Sequence, residues 1–231
     1  MRNKFEYATV PRLLPTGGTA VILGSGPSLT RADVDLTRAH CDLTIAINDS
    51  YVLAPDATAL WGADDKWMVK WHQGCSAAHL HNGRAYPAFT GQFKFCLSRT
   101  PYADVMVLKR GPRIGLCLEP DRVALGSNGA HQSINLAVHF GATRIILLGV
   151  DMKPGKVFRD GAWRPSDHFA WLGRHQDDSK PPYEQCLSYM ATLAEPLKKI
   201  GVEVVNCSPD SALRVFPIRA LRDVFPQAVA V

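Results

Sequence analysis

The sequence predicts an α/β fold: a doubly wound, mostly parallel Rossmann-like sheet in one domain over 1–231, with a lid segment near 153–182. Three observations predict it. Residues 20–23 and 144–148 are almost wholly apolar runs, as expected of parallel strands covered on both faces. Each run ends in glycine, at Gly24-Ser-Gly-Pro27 and Gly149-Val-Asp-Met152, so the chain turns sharply where the strand stops. The order strand, glycine turn, helix, strand, then Gly126-Ser-Asn-Gly129, helix, strand is that of a doubly wound sheet. Ligands of such sheets collect at the carboxyl ends of the strands.

Residues 1–18 are polar and punctuated by Pro and Gly, a lead-in expected along the surface. The first strand passes through its glycine turn to Ser28, whose hydroxyl is placed to cap a helix over 31–38. A second strand, 43–47, ends at Asn48. A third, 58–61, leads through Gly62 into a helix over about 65–73, with Trp67 and Trp71 on one face and expected in the core. Between 74 and 120, residues 85–88, 94–97 and 105–108 read as short strands. His72, His79 and His81 have no carboxylate or cysteine at ligand spacing, so they read as packing or surface histidines and no metal site is expected. A helix over 130–140 places Ile134, Ala137 and Val138 on one side and ends at Gly141, a natural C-cap. Residues 153–182 are polar and aromatic-rich without periodicity, in the manner of a lid. A helix over 183–200 with Gly201 as its cap, a strand over 202–206 and a short helix over 219–225 close the chain.

With 231 residues, 46% of them hydrophobic, the chain can bury one substantial core. The net charge of +5 is spread evenly, so a nucleic-acid partner is permitted but unsupported. No 18-residue apolar run spans a membrane, and no apolar stretch follows the basic N-terminus as in a secretory signal. Six scattered cysteines without C-x-x-C spacing fit reduced thiols, so a cytoplasmic protein is expected. Oligomerisation stays open.

The chemistry concentrates at the strand ends. A strand, a glycine turn and a helix start make an anion site, in which Gly24, Ser25, Gly26, Pro27 and Ser28 would cradle a phosphate. The pattern departs from G-x-G-x-x-G because Leu29 replaces the third glycine, and no Lys-Ser/Thr follows as in a P-loop. The second strand ends in Asn48 where an NAD enzyme needs a carboxylate; an amide instead suits a base or ribose edge. Asp64, Ser127, Asn128 and Asp151 also fall at strand ends, Gly129 closes the turn that opens the next helix, and Ser208 and Ser211 are placed to help close a nucleotide site. In the lid, His168 and His175 are candidates for a general base, since an imidazole titrates near neutrality.

Taken together, residues 21–29, Ala46-Ile-Asn-Asp49, Gly129 through Met152 and Asn206-Cys-Ser-Pro-Asp-Ser211 resemble two related groups. One is the bacterial sialyltransferases of glycosyltransferase family 42. The other is the DUF115 group, with the archaeal 6-hydroxymethylpterin diphosphokinase; small proteins of this shape also occur in bacteriophages. The resemblance implies that Gly24–Ser28 and Asn48 hold a cytidine nucleotide. It implies that the catalytic histidine lies after the Gly-Val-Asp strand, with Leu172-Gly-Arg-His175 the nearest match and His168 upstream. A tyrosine pair that holds the leaving phosphate in those enzymes has no counterpart between Met152 and His168, and Tyr183 is the only tyrosine nearby.

The first expectation is therefore a transferase moving a sugar from a nucleotide-sugar donor, CMP- or UDP-linked, to a hydroxyl acceptor on a small molecule, glycan or modified nucleobase. His175 or His168 would be the base, with Asp151 orienting the acceptor. The second is an ATP-dependent diphosphokinase, in which Asp64 and Asp151 would serve Mg²⁺. The third is a nucleotide-binding module without catalysis.

Overall fold

The computed structural model describes residues 6–81, 83–159, 161–166, 168 and 183–225. In chain order, β1 (Thr19–Leu23), α1 (Arg31–Arg38), β2 (Leu43–Ile47) and β3 (Ala59–Trp61) begin the fold. The small hairpin β4 (His79–His81) and β5 (Arg84–Tyr86) follows, then β6 (Phe93–Cys96), β7 (Met106–Val107), β8 (Lys109–Arg110) and β9 (Arg122–Val123). Next come α2 (Gly129–Phe140), β10 (Arg144–Leu148) and a second hairpin, β11 (Gly155–Arg159) with β12 (Ala162–Ser166). Then α3 (Tyr183–Ala191), α4 (Ala194–Lys199), β13 (Glu203–Asn206) and α5 (Leu221–Val224) complete it.

Seven strands form the central sheet in the order β13-β10-β1-β2-β3-β6-β7, and every neighbouring pair is parallel. Alternation along each strand divides the core in two. Ala20, Ile22, Ile45, Ile145, Leu147 and Val204 pack beneath α2, α3 and α4, where Ile134, Ala137, Met190 and Leu197 meet them. Val21, Leu23, Ala46, Ile146, Leu148 and Val205 face the opposite side, against Val34 of α1, Tyr51, Trp67, Met68 and Leu221 of α5. Both faces are covered, which is why the strands read as unbroken apolar runs. The chain runs outward from β1 to β7 and then returns to the other side of β1 for β10 and β13. The switch point of this doubly wound sheet therefore lies between β1 and β10.

Several local expectations are corrected. Thr30, with its side chain accepting from the Asp33 N–H, caps α1; the Ser28 hydroxyl is committed to Asp151 instead. The lead-in is anchored, with Val10 buried and the Leu14 N–H donating to the Phe140 carbonyl. The helix expected after β3 is one π-helical turn over Lys66–Trp71. Trp67 is buried, whereas Trp71 is half exposed and stacks on His81. The 85–88 segment pairs within the β4–β5 hairpin, outside the central sheet. The single helix expected over 183–200 is broken into α3 and α4, because the Pro196 ring conflicts with the carbonyl four residues back and Thr192 and Leu193 form tight turns instead. Part of the segment read as aperiodic is the β11–β12 hairpin. Among the described residues, no helix is long and apolar enough to cross a membrane.

Helix α2 is polar inside as well as apolar. Asn135 Oδ1 accepts from the N–H groups of Cys117 and Ala124, and Gln132 Oε1 accepts from Trp61 Nε1 at 2.9 Å. His131 is fully buried, and its ring nitrogens meet at most a weak contact with the Ala124 backbone. Burial pushes its imidazolium down from 6.5 to about 4. Below about 6.5 the unfolded chain takes up a proton that the folded one refuses. The stability present above that pH is therefore lost as pH falls towards 4, by about 3 kcal/mol from this group. Denaturant unfolding at pH 7.5 and 4.5 is expected to show the loss, and His131→Met should remove much of it.

Candidate active site

The loops at the carboxyl ends of β1, β2 and β10 and the start of α2 surround one cleft of ≈ 700 Å³, counting its open mouth. Gly24, Ser25, Gly26 and Pro27 line it from β1, Ile47 and Asn48 from β2, and Gly149 to Lys153 from β10. Asn128, Gly129 and Ala130 open α2 onto the same space, and His168 and Tyr183 complete its wall. The cleft thus sits at the switch point of the sheet.

Each wall has a local cause. Asn48 has a positive φ of 49° and starts a 3-10 turn over Asn48–Val52, so the chain leaves β2 abruptly. Asn128 caps α2, accepting from the His131 N–H at 2.9 Å, while its amide donates to the Gly126 carbonyl. Gly129 lets α2 approach β2, since a Cβ there would lie 2.6 Å from Ile47. The twelve-residue helix directs its positive dipole end into the cleft. Lys153 adds a cation from β10. It lies in the loop after β10, just past Gly149-Val-Asp-Met152, and carried no motif, and for that reason the sequence did not single it out.

The glycine turn closes on β10 more than it opens to a ligand. The Gly24 N–H donates to the Leu148 carbonyl at 2.7 Å and the Gly26 N–H to the Gly149 carbonyl at 2.8 Å. Asp151 Oδ2 accepts from the Ser28 hydroxyl at 3.0 Å and from its N–H at 3.3 Å. Burial raises the Asp151 carboxyl above the ordinary range, and the Ser28 hydrogen bonds oppose that rise. Asp151 is therefore a lock between the two loops as well as part of the cleft wall. Ser25 donates to the Ile47 carbonyl at 3.0 Å and ties β1 to β2.

The remaining sequence candidates divide. Ser208 accepts from the Val150 N–H at 2.8 Å and Ser211 donates to the Val150 carbonyl at 2.7 Å, so both are buried braces of the β10 end. Neither they nor Ser127 and Asp64 are among the residues lining the cleft. Ser127 is exposed, with its carbonyl facing the Cys186 thiol. Asp64 is exposed and accepts from the Lys66 N–H. His175 lies outside the described residues, as does most of the expected lid. His168 is buried in the cleft wall, its backbone clamped by the Ser166 hydroxyl at 2.7 and 3.1 Å. Its Nε2 is 3.7 Å from Asp49 Oδ2. Among the described residues, no three His, Cys, Asp or Glu side chains converge as metal ligands.

The fold and cleft define a doubly wound α/β protein with a ligand-sized opening at its switch point. No family model matches the chain, and no curated protein does. Solved structures of the sialyltransferase CstII from Campylobacter jejuni are similar in chain trace. The complex with cytidine-5'-monophosphate is 12% identical at a TM-score of 0.46, covering 88% of this chain and 85% of that one. The complex with CMP-3FNeuAc is 11% identical at 0.45, covering 87% and 85%.

Proposed function

We propose that the protein is a nucleotide-dependent transferase that holds a nucleotide-sugar in the switch-point cleft and moves the sugar to a hydroxyl acceptor. One observation carries the reading: three strand ends, a helix N-terminus, a lysine and an imidazole meet around one opening. The α2 start and Lys153 take the phosphate, and Asn48 takes a base or ribose edge. His168 removes the acceptor's proton as its oxygen attacks the anomeric carbon. The bond from that carbon to the phosphate oxygen breaks, and its electron pair leaves on the nucleotide. Tyr183 lines the same cleft.

Thermal-shift titration with CMP, UDP, GDP and ATP, followed by donor turnover, tests this. One pyrimidine or purine nucleotide is expected to raise Tm, and its sugar conjugate to be consumed. Turnover should survive EDTA, because Lys153 and the α2 dipole carry the leaving charge. Conversion of ATP to AMP with a pyrophosphorylated product, stopped by EDTA, would replace this reading with diphosphoryl transfer. Binding without turnover of any donor would leave a nucleotide-binding module.

A further inference from the structure

The β11–β12 hairpin leaves the cleft wall and returns to it. Lys153, two residues before β11, lines the cleft, and Ser166 at the end of β12 holds the backbone of His168 in the same wall. A Cβ on Gly155 would lie 2.3 Å from Pro27 Cγ, so β11 starts against the glycine turn. Alternation puts Val157 on the face turned to the protein, where it is buried, and Lys156 and Phe158 on the other. Trp163 is the direct cross-strand partner of Phe158, and the two rings meet edge to face with centroids 5.6 Å apart. Phe158 is 61% exposed and Trp163 67%. Lys156 and Arg164 are exposed beside them and form no ion pair among the described residues. We infer that this face binds single-stranded nucleic acid and presents it to the cleft as the acceptor. The acceptor role rests on the transfer proposed above; the binding does not.

The chemistry of the face chooses this occupant. Every nucleobase has a flat π surface, so an unstacked base can lie on an exposed ring whatever its sequence. Lys156 stands one pleat from Phe158, and Arg164 follows Trp163, so the phosphates flanking a stacked base meet a cation on each side. Residues 155–166 carry Lys156, Arg159 and Arg164 against Asp160 alone. Lys153 carries the positive charge on to the cleft opening, where His168 stands. Other occupants use less of this chemistry. A duplex keeps its bases stacked on one another and offers the rings nothing. A neutral glycan leaves both cations without a partner. A membrane would meet the tip of the hairpin first, and the tip is Asp160-Gly161, with the rings behind it. A second copy of this chain, with its net charge of +5, brings like charge to a positive face.

The test is fluorescence anisotropy of the full-length protein with a labelled oligothymidylate of about ten nucleotides. A duplex of the same length, a heparin oligosaccharide and vesicles of phosphatidylserine and phosphatidylcholine are measured beside it. The single strand is expected to bind tightest and to quench tryptophan emission. Trp163→Leu keeps an apolar side chain but loses the flat ring, so affinity should fall about 10-fold, while Trp163→Phe should keep most of it. Lys156→Gln and Arg164→Gln should each flatten the slope of log affinity against log salt by about 0.7. These side chains are exposed, so the variants should keep the wild-type Tm. Duplex, heparin or vesicles binding as tightly as the single strand would overturn the inference, as would Trp163→Leu binding it like wild type. Oligonucleotide binding without transfer from any nucleotide-sugar sinks the transferase reading and upholds the binding face. Transfer to a saccharide and to no oligonucleotide overturns the acceptor assignment and upholds the transferase.

Discussion

His168→Ala is expected to lower kcat by about 10²–10⁴-fold while nucleotide affinity stays within a few-fold of wild type. The ring is buried in the cleft wall, and the Ser166 hydroxyl fixes its backbone from both sides. Such a group is held in place before substrate arrives. Nucleotide contacts fall to other elements: the α2 start, Lys153 and Asn48. Truncating the imidazole should therefore separate rate from binding. The measurement is donor consumption at saturating acceptor, beside calorimetric titration of the free nucleotide. His168→Gln keeps a polar group but no titratable nitrogen, so it should be as slow as His168→Ala and lose the acidic limb of the pH profile. Undiminished kcat in both variants would remove His168 from the chemistry and return His175 to first place.

The sheet was legible because its physics is local. Strands covered on both faces are mostly apolar, so 20–23 and 144–148 declared themselves, and Gly141 marked the end of α2 through its left-handed φ of 98°. The β11–β12 hairpin was less visible. Its Asp160-Gly161 pair is a hairpin signal, but Lys156, Phe158, Trp163 and Arg164 are all exposed and supply no alternating apolar face. The candidate site was legible in part. Asn48 and Asp151 were found from strand ends, and Asn128 and Gly129 from the glycine turn that opens α2. The carboxylate, tyrosine and histidines around Asp49 come from positions 49 to 168 in the chain, with no spacing to join them. Only the folded packing of the β4–β5 hairpin and the π-helical turn against the end of β2 assembles them.

The glycine turn is where sequence pattern and structure assign different causes to the same residue, and Gly26→Val separates them. The pattern gives Gly26 room for a phosphate, so that valine would abolish binding in an intact fold. The structure fills that space with protein. A Cβ on Gly26 would lie 1.9 Å from Asp151 Oδ2 and 2.6 Å from the Gly149 carbonyl oxygen. Gly24 has the same neighbour, the Gly149 oxygen at 2.4 Å. Both contacts include backbone that is hydrogen-bonded into the β1–β10 junction, so little can move aside. Overpacking against a fixed backbone is expected to cost about 3 kcal/mol or more, about 6–12 °C in Tm for a chain of this size. Gly26→Ala should show the same sign at smaller size, because the clash begins at Cβ. Asp151→Ala in that background should restore only part of the loss, since the carbonyl remains. Thermal unfolding of the single and double variants measures all three. A Gly26→Val protein with wild-type Tm and no nucleotide affinity would give the glycine back to the phosphate.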